Sequence, residues 1–145
     1  MTSDLQRSPI HLLHRAGQCA ADIFRAELER SELTPRQLAI LISIAENEGE
    51  SQTVLVERTG VDRSTLADVV RRMQKKGLVQ RRRTREDARA YSVKLTEAGR
   101  ELLQKGEPLA RRVDQRLLQA LPDKHRKQFL EALQSVVATL QAAEK

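Results

Sequence analysis

The sequence predicts a mainly α-helical fold carrying one small β-hairpin. Three observations lead there. Apolar residues recur at helical spacing in six segments, most of which open on a capping residue. The period changes to two only between about residues 78 and 95. The apolar content, 39%, is mostly Leu, Val, Ile and Ala with only 2% aromatics, which suits packed helices rather than a sheet sandwich. A length of 145 residues fits a single domain with its own core, so no staple is needed.

Ser8 and Pro9 open the first helix, Ser as N-cap and Pro at the first helical position. Ile10, Leu13, Ala20, Phe24 and Leu28 then recur to about Arg30. Thr34, Pro35 and Gln37 form a capping-box pattern for the second helix, whose expected buried stripe is Leu38, Leu41, Ile42 and Ala45, ending at Gly49. Ser51 caps a short third helix closing at Thr59-Gly60, and Asp62 caps a fourth running to Lys76. Two short helices joined through a Gly-containing turn read as a helix-turn-helix. Leu78 to Arg82 and Ala90 to Leu95 read as strands around a charged loop, residues 83–89. Thr96 caps a long helix in which Pro108 predicts a bend near Gly106. After Leu121-Pro122-Asp123, a last helix carries Phe129, Leu133 and Leu140 on one face.

The net charge of +6 is concentrated. Residues 61–95 hold eleven basic and four acidic side chains, so the rest of the chain sums to about neutral. Such a patch is the footprint of a polyanion binder. One Cys excludes an intramolecular disulfide framework and a Cys-based zinc site, and suits a reducing cytoplasm. The first six residues do not resemble a signal peptide, and the longest apolar stretch, Leu38 to Ala45, is too short to cross a bilayer. No nucleotide-loop, hydrolase or metalloprotease motif is present, so the sequence calls for neither an enzyme nor a cofactor.

On the fourth helix, Leu66, Val70 and Met73 share one face, while Ser64, Asp68, Arg71 and Lys75 share the opposite one, with Thr65 and Arg72 beside them. Short polar groups near the N-terminus can reach base edges, and the cations further along can hold phosphates. Arg63 can reach guanine or a phosphate. In the hairpin loop, Arg85 and Arg89 can enter a narrow minor groove, with Asp87 orienting Arg89. A solvated charged face and a decorative surface pair are the bland alternatives.

Gly60 to Gly99 carries a resemblance. Asp62-Arg63-Ser64-Thr65-Leu66, Lys75-Lys76-Gly77-Leu78-Val79, and Asp87-Ala88-Arg89 followed by Val93-Lys94-Leu95-Thr96 and Gly99 resemble the MarR family of winged helix-turn-helix regulators. Leu33-Thr34-Pro35-Arg36-Gln37 is similar to the opening of that family's second helix. Val56 and Thr59 depart from the Ala and Leu frequent there. The resemblance covers nearly the whole chain, 1–145, as one domain. It implies a winged DNA-binding lobe over 34–96 and a helical dimerisation region over 8–30 and 97–145. It further implies a homodimer on an inverted repeat of double-stranded DNA, acting as a repressor released by a small aromatic or anionic effector.

His11, His14 and Arg15 cluster on the first helix and can receive an anionic effector, such as an aromatic acid or its CoA thioester; exposure or interface hydrogen bonding is the plainer reading. His125 reads as structural, and three His without a fourth ligand make no zinc site. Cys19 lies near where the peroxide-sensing branch of the family places its reactive thiol. It reads better as a small buried or inert Cys, since Tyr91 is the only Tyr. A redox regulator and a winged-helix protein adaptor are the alternatives.

Overall fold

The computed structural model describes residues 4–28, 33–84 and 91–143. The helices are α1 (Pro9–Glu27), α2 (Pro35–Glu46), α3 (Gln52–Thr59), α4 (Arg63–Lys75), α5 (Glu97–Leu118) and α6 (Asp123–Ala143), with strands β1 (Val79–Arg83) and β2 (Tyr91–Leu95) between α4 and α5. Mostly helical with one small hairpin, this is the predicted class. A short 3-10 turn, Leu5–Arg7, precedes α1 without an apolar pattern to announce it.

The capping residues act as read. The Ser8 hydroxyl accepts from the His11 amide, and Thr34 and Gln37 exchange side-chain to backbone bonds at 3.1 Å each. Ser51 and Asp62 accept from the Val54 and Thr65 amides. In the turn between α3 and α4, Gly60 takes a left-handed φ of 71°, which a side chain would disfavour. The Thr59 hydroxyl donates to the Leu55 carbonyl at 2.7 Å and accepts from the Val61 amide at 3.2 Å. Thr59, a departure from the family pattern, thus ties the turn together.

Contacts divide the chain into two compact units, Phe24–Ala110 and Met1–Ile23 with Arg111–Lys145. In the first, α2 packs on α3 and β2, α3 on α4, and α4 on β1. Ile40, Leu41, Ile44, Leu55, Leu66 and Val70 are fully buried. Each contributes roughly 1.5–3 kcal/mol by leaving water. The stripe expected on α2 is corrected here. Leu38 and Leu41 are buried, but Ile42 is half-buried and Ala45 exposed, while Ile40 and Ile44 lie in the core. With α3 and β2 both packed on it, α2 buries a wider arc than a helix with one partner.

The hairpin is antiparallel, Val79 opposite Leu95 and Arg83 opposite Tyr91. Its far edge is covered. The Gly49 amide donates to the Val93 carbonyl, the Val93 amide donates to the Glu50 carbonyl, and Ser51 bridges Ser92. The loop after α2 therefore extends the sheet, which satisfies the backbone of β2. At the foot of the hairpin, the Thr96 hydroxyl donates to the Gly77 carbonyl at 2.6 Å and accepts from the Gly99 amide at 3.1 Å. Its amide donates to Leu78 O. Gly99 is buried, and a Cβ there would overlap that same carbonyl oxygen, so the position takes only glycine without a shift of backbone.

In the second unit, the Arg126 guanidinium closes the C-terminus of α5 by donating to the Leu118 and Leu121 carbonyls. Val113 is buried, but none of the described residues of α6 is. Among the described residues, the exposed large apolar side chains belong to this unit: Ile10 is 81% exposed, Leu13 49%, Val137 54% and Leu140 61%. Cys19 is exposed rather than buried, because its face of α1 meets no other described segment closely enough to cover it. Among the described residues, no helix is long and apolar enough to cross a membrane.

Candidate nucleic-acid interface

Leu66, Val70 and Met73 anchor α4 in the core at 0–2% exposure, as its periodicity requires. Arg63, Ser64, Arg71, Arg72 and Lys75 are consequently exposed, and Thr65 and Asp68 half-buried. Asp68 pairs with Arg72 one turn on, at 3.1 Å, in a solvent-facing bridge worth little in stability. Arg71 folds back to its own helix, its Nε donating to the Ala67 carbonyl at 3.4 Å.

Asp62 organises the first turn beyond its role as a cap. Its carboxylate accepts from the Thr65 amide at 2.9 Å, from the Thr65 hydroxyl at 2.8 Å and from the Ser64 hydroxyl at 2.9 Å. The Thr65 amide first, then the Thr65 and Ser64 hydroxyls, lower its pKa from 3.8 to about 2. The stabilisation of the folded state is therefore present above the unfolded value and lost as pH falls through about 2. At neutral pH the group is an anion and acts only as an acceptor.

On the hairpin, Arg81 and Arg83 share a face with Tyr91 and Val93. The Arg81 guanidinium lies 4.1 Å from the Tyr91 ring centre and that of Arg83 5.8 Å, cation–π contacts that stiffen the strands. Sequence reasoning counted these arginines as charge and did not place them together. The signal was available in the alternation of β1 against β2. Arg85, Asp87 and Arg89 lie outside the described residues.

Sequence reasoning also missed a cavity of about 750 Å³ inside the Phe24–Ala110 unit. Its apolar wall is Leu33, Met73, Leu78, Leu102 and Leu109. Arg72, Lys75, Lys76 and Lys105 stand around it. The available signal was Gly106, spaced four from Leu102 and three from Leu109 on one helical face. A Cβ at Gly106 would press on the methyls of Leu33 and Leu38 at 3.2 and 3.3 Å. Gly106 is thus a close-packing site as well as the place where Pro108 predicts a bend, and α5 stays helical through Pro108. His11, His14 and Arg15 are on α1, His11 half-covered and the other two exposed.

Comparison with known proteins gives this arrangement a family. The MarR family model matches residues 31–90. The transcriptional repressor NicR of Pseudomonas putida is 31% identical over 127 residues, 88% of this chain and 80% of that protein. The crystal structure of the PcaV transcriptional regulator from Streptomyces coelicolor with its natural ligand superimposes with a TM-score of 0.89 at 28% identity, covering 95% of this chain and 97% of PcaV. BpsR of Bordetella bronchiseptica, whose DNA binding is regulated by 6-hydroxynicotinic acid, gives a TM-score of 0.88 at 26% identity over 94% of this chain and 98% of BpsR. These are regulators and not enzymes. The chain, with its helix-turn-helix, hairpin wing and basic face on α4, belongs to the MarR family of DNA-binding transcription regulators.

Proposed function

We propose that the protein is a homodimeric repressor that binds an inverted repeat of double-stranded DNA and is released by a small anionic effector with an aromatic or other apolar body. The cavity carries this reading. Its leucine and methionine wall suits an apolar body, and Arg72, Lys75, Lys76 and Lys105 suit a carboxylate. Three of those cations belong to the C-terminal end of α4 or its cap. A ligand there acts on the same helix that offers Arg63, Ser64, Thr65, Asp68 and Arg71 to the bases. NicR, named a repressor, and BpsR, regulated by an aromatic acid, support the reading by kinship. Arg85, Asp87 and Arg89 are proposed for the wing's contact with DNA. His11, His14 and Arg15 are proposed as further anion-pairing groups.

A thermal-shift screen of aromatic acids and their CoA thioesters tests this. A ligand at a hundred times its Kd stabilises the folded state by about 2.7 kcal/mol, and Tm rises accordingly. Lys105→Ala is expected to weaken that ligand roughly threefold to tenfold, the modest size reflecting an exposed cation. Arg15→Ala measures the share of α1. Operator DNA must weaken ligand binding by the factor by which ligand weakens DNA binding. Equal ligand affinity with and without DNA overturns release by the effector.

Lys75→Ala separates phosphate contacts from base reading. It is expected to weaken all duplexes similarly and to reduce the slope of log affinity against log salt by about 1 per protomer. A sequence-dependent loss would place Lys75 on a base.

A further inference from the structure

Ser64 and Thr65 have one hydroxyl proton each, and both protons are engaged. Ser64 Oγ donates to Asp62 Oδ1 at 2.9 Å, and Thr65 Oγ1 donates to Asp62 Oδ2 at 2.8 Å. A carboxylate has no proton to give, so the direction of both bonds is fixed by chemistry. Asp62 stays ionised throughout the neutral range. The hydroxyl oxygens are left with lone pairs, made more electron-rich by the anion they donate to. Asp62 and Ser64 are exposed and Thr65 is half-exposed, so these lone pairs are presented at the start of α4.

We propose that Asp62 sets the base preference of α4: by taking both hydroxyl protons it makes Ser64 and Thr65 acceptors, which pair with the exocyclic amines of adenine or cytosine in the major groove. Thymine O4, guanine O6 and purine N7 are acceptors themselves and have no partner here. Phosphate oxygens are refused by the two hydroxyls for the same reason, and the Asp62 charge repels them, so Ser64 and Thr65 do not serve as backbone anchors. Asp62 acts through the two hydroxyls as a positioning residue. The inference rests on α4 being the base-reading helix.

The test uses the full-length protein and duplexes that it selects from a randomised pool. Selected sites are remade with single base analogues. 2-Aminopurine removes the adenine N6 amine and 2-pyrimidinone the cytosine N4 amine. 7-Deazapurines remove N7, and 5-methyl-2-pyrimidinone removes thymine O4. Affinities are compared for the wild type, Ser64→Ala and Thr65→Val. Removing an amine at a contacted position is expected to weaken the wild type roughly 3- to 10-fold, and to cost the matching hydroxyl variant nothing. Removing acceptors is expected to cost all three proteins equally. The proposal is overturned by an acceptor deletion whose cost vanishes with either hydroxyl, or by the absence of any hydroxyl-dependent amine.

Asp62→Asn probes the residue itself. Asn still caps the Thr65 amide, so Tm is expected to hold within a few degrees. Its amide nitrogen donates, which frees one hydroxyl proton to point outward, so the dependence moves from an amine to an acceptor. Retention of the wild-type pattern overturns the role of Asp62. Should this variant fail to fold, the Ser64→Ala and Thr65→Val comparison still decides. Arg63→Ala and Arg71→Ala judge the premise separately. Selectivity altered by these alone sinks only the polarity proposal, whereas selectivity unchanged in all four variants of α4 sinks the base-reading role of the helix as well.

Discussion

Leu140→Asp is expected to turn the proposed homodimer into monomers at micromolar concentration and to abolish operator binding. In the single chain Leu140 is 61% exposed and Val137 54%, on a helix with no buried described residue. One-turn apolar spacing left uncovered by the described residues of its own chain is the mark of a face that a second copy covers. A carboxylate placed in such a seam loses its hydration and gains no partner, at a cost of several kcal/mol, and the symmetry of a homodimer applies it twice. About 4 kcal/mol already raises the dissociation constant roughly a thousandfold. Leu140→Met, which keeps the volume, is expected to leave the dimer intact. Light scattering and DNA binding read both variants. A dimer that survives Leu140→Asp would move the seam off this face of α6.

Gly99→Ala is expected to lower Tm by roughly 6–15 °C, a loss of about 2–3 kcal/mol. The added methyl would overlap the Leu78 carbonyl oxygen, with the Leu78 carbonyl carbon at 3.1 Å and the Leu95 side chain at 3.4 Å. The obstacle is backbone, and it is pinned: Leu78 O accepts from the Thr96 amide at 3.0 Å, and the neighbouring Gly77 O accepts from the Thr96 hydroxyl at 2.6 Å. Moving Leu78 aside breaks the cap of α5 and the foot of β1 together. Thermal melts of the purified variant decide it. An unchanged Tm would mean that α5 starts further from the hairpin than the structure places it.

The helices and their starts were legible in the sequence because their causes are local. Ser8, Thr34, Ser51, Asp62 and Thr96 each accept from an amide within three residues, so spacing alone identifies them. The buried face of α4 was legible for the same reason: a helix covered on one side writes a 3.6-residue period. Where a second partner intervenes, the period misleads, as it did for Ala45 against Ile40 and Ile44 on α2.

The sequence by itself determined the basic, capped helix α4, the hairpin, the family resemblance and the apolar faces at both ends of the chain. Three things were decided only in the folded chain, two of them by tertiary contacts and the third within the first turn of α4. The 49–51 segment joins β2 through backbone groups that carry no sequence signature. The cavity arises where Leu33, the end of α4 and the glycine face of α5 converge from positions up to 76 residues apart. The hydroxyls of Ser64 and Thr65, read from spacing as groups aimed at bases, are turned to Asp62. Spacing places a side chain on a face, but the direction of a hydrogen bond is set by which acceptor stands within 3 Å of it, and that is a property of the folded chain.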